Sequence, residues 1–101
     1  MKTELFDKIA DIVSKTCNVS AEEIRSKSRR AEITEARAIF IWQCNQCKLC
    51  VNDIARYVGR KRSKTVYDYL ANYRLYRESS ISFRIFAREV DTKLSETLPK
   101  Q

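Results

Sequence analysis

The chain has 101 residues, with 20 lysines and arginines against 13 acids for a formal net charge of +7, a single glycine, a single proline and no histidine. Hairpins draw on residues that tolerate positive φ, so this glycine content argues against an all-β sandwich. The lack of imidazole excludes a His-based triad, a histidine metal ligand and a histidine pH switch, and a basic chain without that chemistry is expected to bind polyanions and not to be an enzyme.

The first predicted helix covers Glu4 to Thr16, where Leu5, Ile9, Ile12 and Val13 recur at helical spacing opposite Lys8, Asp11 and Lys15. Ser20-Ala21-Glu22-Glu23 has the form of a capping box, so a short second helix is expected there, with Val19 and Ile24 as its hydrophobic staple. Ser26-Lys27-Ser28-Arg29-Arg30 has no periodicity and reads as a loop. Thr34 is placed to cap a third helix running to about Lys48. It is apolar around most of its circumference through Ile39, Phe40, Ile41, Trp42, Cys44 and Cys47, which puts it at the centre of the fold with Trp42 in the core.

A fourth helix is expected over Val51 to Val58, with Gly59 in the left-handed position that ends it. A fifth starts near Ser63 and continues to about Arg77, burying Val66, Leu70 and Tyr73 before Ser79-Ser80 interrupts it. In the last segment Ile81, Phe83 and Ile85 alternate as in a strand, but Phe83, Phe86, Ala87, Val90 and Leu94 fit a helix over a longer window, and the helix is preferred. The tail from Thr97 to Gln101 is expected to fray. The fold class is therefore all-α: one domain over residues 1–96, a compact bundle of about six helices containing a helix-turn-helix near residues 51–77.

The chemistry is concentrated between Asp53 and Asp68. Two helices joined at Gly59, with the small Ala55 four residues earlier and Val66 anchoring the second helix, have the form of a helix-turn-helix. Arg56, Arg60, Lys61, Arg62 and Lys64 place five cations on the turn and its flanks with no acid among them. In a helix-turn-helix those positions meet the DNA backbone and the major groove. Cations at a helix N-terminus oppose the macrodipole, so stability alone would not select them.

With these segments in view the sequence resembles, from Leu5 to Tyr76, the C-terminal DNA-binding domain (domain IV) of the bacterial replication initiator DnaA. The resemblance is carried by Cys17-Asn18-Val19-Ser20-Ala21-Glu22-Glu23-Ile24, by Ser26 to Arg30, by Ala36-Arg37 and by Asp53 through Val66. It implies an all-helical domain with a helix-turn-helix of the Trp-repressor type that binds duplex DNA as a monomer. It also implies that Arg29 or Arg30 enters the minor groove and that Arg37 contacts the DNA nearby.

The family's Gly-Gly-Arg-Asp-His-Thr-Thr-Val corresponds here to Gly59-Arg60-Lys61-Arg62-Ser63-Lys64-Thr65-Val66, so its base-reading Asp-His-Thr is replaced by Arg62-Ser63-Lys64. A target other than the family's consensus site is expected. Lys64, Thr65 and Ser63 are assigned to base edges, and Arg60, Lys61 and Arg62 to phosphates, with Arg62 also able to reach a base. No phosphate loop or Walker motif occurs in the 101 residues, so the resemblance implies DNA binding and not nucleotide-driven initiation.

Cys44, Cys47 and Cys50 have a spacing used by iron–sulfur clusters. On one helix, however, Cys44 and Cys50 would point about 120° apart, and packing is the preferred reading, with no metal and no cofactor expected. Tyr57, Tyr67, Tyr69, Tyr73 and Tyr76 cluster on the fourth and fifth helices, and their spacing does not choose between surface packing, base stacking and a protein interface. The N-terminal stretch carries no apolar run, so a cytoplasmic protein with reduced thiols and no membrane partner is expected. Double-stranded DNA is the expected partner, with room for other replication or regulatory proteins. The competing reading is a protein-interaction module that keeps the fold and docks an acidic partner on its basic face.

Overall fold

Helices form where the apolar spacing places them. The computed structural model describes residues 2–97, in which the chain runs α1 (Lys2–Cys17), α2 (Ala21–Arg25), α3 (Ala31–Gln46), α4 (Val51–Tyr57), α5 (Lys64–Ser79) and α6 (Ile81–Thr97). No strand occurs among the described residues. The alternation at Ile81, Phe83 and Ile85 resolves as a helix, because Phe83, Ala87, Val90 and Leu94 share the buried face while Ile81 and Ile85 are exposed. Thr97 is the last residue of α6, and the rest of the tail expected to fray lies outside the described residues.

α3 is the axis of the bundle and packs against all five other helices. Ile39, Phe40, Ile41 and Cys44 are wholly buried on different sides of it, so its lack of a polar stripe follows from being surrounded. α1 supplies Phe6, Ile9 and Val13, and α6 supplies Phe83, Val90 and Leu94; each large apolar side chain so buried contributes about 1.5–3 kcal/mol. Phe6, Tyr57 and Phe40 stack in sequence, with centroids 4.9 and 5.4 Å apart. Trp42 is half-buried rather than central and lies flat on Tyr73, 4.1 Å from its ring centroid. Two polar side chains interrupt this core, Gln43, which donates to Asp91, and Arg37.

α3 is displaced from its expected limits at both ends. It starts at Ala31 and not at Thr34: the Ile33 and Thr34 amides both close on the Arg30 carbonyl, and Arg30 serves as N-cap through backbone conformation without a capping side chain. It ends at Gln46 because Lys48 takes a left-handed φ of 63°. The Leu49 amide then donates back to Cys44 and the Lys48 amide to Asn45, the paired bonds of a Schellman ending. Cys47 and Cys50 are thereby removed from the helix on which their spacing was reckoned and become the caps of α3 and α4. α1 ends in the same way at Asn18 (φ 57°), with the Val19 amide on the Ser14 carbonyl.

Candidate nucleic-acid interface

The helix-turn-helix corner is α4, the turn 58–63 and α5. Ile54, Ala55 and Val58 bury one side of α4, and Val66 pins the first turn of α5. Gly59 (φ 74°) lets the Arg60 amide reach the Ala55 carbonyl at 2.8 Å and the Gly59 amide reach Arg56 at 3.0 Å. A Cβ at Gly59 would stand 3.1 Å from the Arg25 carbonyl, so the corner is also pressed against the end of α2. Arg25 reinforces that contact: its Nε donates to the Tyr57 carbonyl at 3.0 Å and its guanidinium lies 4.8 Å from the Tyr57 ring centroid. The Tyr57 hydroxyl donates to Asp7 of α1 at 2.6 Å, and burial together with this bond pushes its pKa up to about 12.

α2 does form with the expected capping box, Ser20 Oγ accepting from the Glu23 amide and Glu23 accepting from the Ser20 amide. Its five residues leave the C-terminal carbonyls open, and Arg37 closes them. Nε donates to Ile24 (2.8 Å), Nη2 to Glu23 (3.2 Å) and Ser26 (2.8 Å), and Nη1 to Ser28 (3.1 Å) and the Tyr69 hydroxyl (3.1 Å). A cation against the negative end of a helix dipole is favourable there, and all five guanidinium donor directions are used.

Arg37, which the family resemblance sets near the DNA, thus spends its donors within the fold. It is 1% exposed and lies beneath the loop instead of on the surface. Within the loop, Ser26 Oγ donates to Glu23 and accepts from the Ser28 amide, while Ser28 Oγ accepts from the Arg30 amide. The serines at 26 and 28 are half-buried while Lys27, Arg29 and Arg30 are exposed, so the alternation of serine and cation has a structural meaning.

Between this loop and α5 lies a groove of about 560 Å³ lined by Lys27, Ser28, Arg29, Thr34, Arg37, Arg60, Thr65 and Tyr69. Of the residues expected to act together it gathers Arg29, Arg37, Arg60 and Thr65. Arg60 donates to Val58 (2.9 Å) and to Ser26 (3.1 Å), so its guanidinium and that of Arg37 converge on one carbonyl. Neither is in an ion pair among the described residues. Burial, and then the Arg37 charge, lower the pKa of Arg60, although an arginine remains a cation at any physiological pH.

Lys61, Arg62 and Lys64 are exposed beyond the groove, and Ser63 is half-buried at the start of α5. Three of the expected residues already have carboxylates: Arg30 with Glu32 at 2.6 Å, Lys64 with Asp68 at 3.3 Å and Arg56 with Asp53 at 3.7 Å. Surface pairs of this kind contribute roughly 0–1 kcal/mol, so they exchange readily for other anions.

Residues 6–70, which contain the loop, the groove and the corner, match the family described as the bacterial DnaA protein helix-turn-helix. The chain belongs to the DnaA helix-turn-helix family. It is also similar to the chromosomal replication initiator protein DnaA of Campylobacter concisus (strain 13826), at 32% identity over 90 residues. That alignment takes in 88% of this chain and 21% of the relative, so the chain spans about a fifth of that protein's length. A helix-turn-helix is a binding module and not a catalytic one.

The DnaA-family match stops at residue 70, leaving the second half of α5 and all of α6 beyond it. Among the groove residues, sequence reasoning missed Lys27, Ser28, Thr34 and Tyr69. Tyr69 follows Thr65 by four residues and so shares its face of α5, a spacing that could have revealed it. Thr34 had been spent on a cap that the helix does not use. Among the described residues no helix is long and apolar enough to cross a membrane.

Proposed function

We propose that this DnaA-family chain binds double-stranded DNA, with the start of α5 in the major groove, the loop 26–30 at the adjacent minor groove and one sugar–phosphate strand in the groove between them. The observation that carries this reading is the convergence of Arg37 and Arg60 on the Ser26 carbonyl, with no carboxylate among the described residues paired to either. Two like charges held together are relieved by an anion, and a phosphate seated among Lys27, Arg29 and Arg60 supplies one. A strand that separates two grooves has to pass between the elements that enter them.

Arg29 is the minor-groove arginine in this reading, because it lines the groove and Arg30 does not. Lys64, Thr65 and Ser63 face base edges, and Lys61 and Arg62 meet phosphates. Arg56 reaches the backbone by exchanging Asp53 for it. The relative is named a chromosomal replication initiator, which supports a cytoplasmic role in replication or its regulation. The replaced base-reading segment Arg62-Ser63-Lys64 supports a target sequence of the chain's own.

The test is selection from a randomised duplex library at about 0.15 M salt. An enriched motif, with binding weakened by Arg29→Ala, is the expected result. Retention without a motif overturns base reading, and no retention overturns duplex binding and leaves an acidic protein partner for the basic face.

A further inference from the structure

α6 carries a second ordered face opposite the one it buries. At 100° per residue Ile81, Arg84, Ile85 and Arg88 fall within an arc of about 100°, centred about 140° around the helix from Phe83, Ala87, Val90 and Leu94. Ile81 is 72% and Ile85 51% exposed, two aliphatic side chains one turn apart on one face. Arg84 is held in place by donating from Nε to the Arg77 carbonyl at 3.1 Å, and with Arg74, Arg77 and Glu78 it lines a groove of about 360 Å³ at the junction of α5 and α6. None of Arg74, Arg77, Arg84 and Arg88 is in an ion pair among the described residues. α6 also has no acid in its first turn, so Arg84 stands against the helix dipole uncompensated.

We infer that this α5–α6 face is a docking surface for an acidic amphipathic helix of a protein partner, its carboxylates meeting the arginines and its aliphatic side chains covering Ile81 and Ile85. Phosphate backbone explains the arginines but gains nothing from two exposed isoleucines. A second copy of the chain meeting this face with its own would set arginines against arginines. The face also stands clear of the proposed duplex site, since Arg77 follows Lys64 by 13 residues along α5, about 20 Å from the end that the major groove would receive.

The test is selection of phage-displayed random peptides of about 12 residues, the length of an ordinary helix, on the immobilised chain. A synthetic enriched peptide is then mapped by amide shifts on isotope-labelled protein. Peptides combining Asp or Glu with Leu, Ile or Phe are expected to enrich and to shift amides between residues 74 and 88, not those of 26–30 or 60–65. Arg77→Glu and Ile85→Ser, both surface changes, should each weaken the peptide by about tenfold or more while retaining the chain's affinity for random duplex. No enrichment, enriched peptides lacking acids, shifts confined to the loop, a dimer formed through this face, or loss of duplex binding in Arg77→Glu would each overturn the inference. The peptide readout does not depend on the duplex reading, so either can fail alone.

Discussion

Arg37 is where residue chemistry and fold are most tightly joined. One planar guanidinium satisfies carbonyls from Glu23, Ile24, Ser26 and Ser28, and an ammonium at the same place has neither the fork nor the number of donors. Arg37→Lys is expected to lose about 2 kcal/mol or more in urea denaturation and to speed amide exchange in residues 26–30. An unchanged midpoint would show that the loop holds its shape without the fork. Two of the three left-handed helix endings make a matched pair of cases. At Gly59 an alanine adds backbone strain and a close contact with Arg25, so Gly59→Ala is expected to lower stability by about 1–2 kcal/mol. At Lys48 a side chain already bears that strain, so Lys48→Gly is expected to raise stability by about 0.5–1 kcal/mol, read as opposite shifts of the thermal midpoint.

At the scale of elements, the turn and α5 divide the labour of binding. Lys61→Ala is expected to weaken all duplexes alike and to flatten the slope of log affinity against log salt by about 1. Lys64→Ala should instead cost about 1–3 kcal/mol of discrimination at one base position, measured by anisotropy on the selected site and its single-base variants. If both variants bind like the parent, α5 is not docked in this way. The corner was legible in the sequence because its determinants are local: Gly59 at the turn, the small Ala55 where helices meet and Val66 as anchor. The capping box of α2 was legible for the same reason. The limits of α3 were not, since Arg30 caps without a side-chain signal and Lys48 adopts a conformation that its residue type disfavours. The internal bonds of Arg37 were not legible, because its place near DNA came from the family resemblance alone and carbonyl partners leave no mark on residue type. Only the packing of α2 on α3 shows the open carbonyls that draw it inside.

For the whole molecule, buried thiol and phenol groups couple protonation to folding under alkaline conditions. With no histidine, no side chain has an ordinary pKa between pH 5 and 8. Burial pushes the Cys17 thiol from 9.0, and burial with the bond to Asp7 pushes the Tyr57 hydroxyl from 10.0, each to about 12. Their neutral forms are favoured by folding, so this stability is complete below pH 9, where the unfolded groups also keep their protons, and is lost as pH rises from 9 through 12. Urea midpoints at pH 6 and 8 should therefore coincide and those above pH 9 should fall; a midpoint rising with alkali would contradict the burial of these groups. The shared Ser26 carbonyl, finally, fixes the loop and the corner to one point, so the two elements proposed to straddle a phosphate strand form a ruler of set length. Inserting one base pair between the minor-groove and major-groove portions of a selected site displaces them by about 3.4 Å and rotates them by roughly 35°. A ruler without a joint loses one contact whenever it keeps the other, so such a site should be bound no better than one from which the minor-groove portion has been removed.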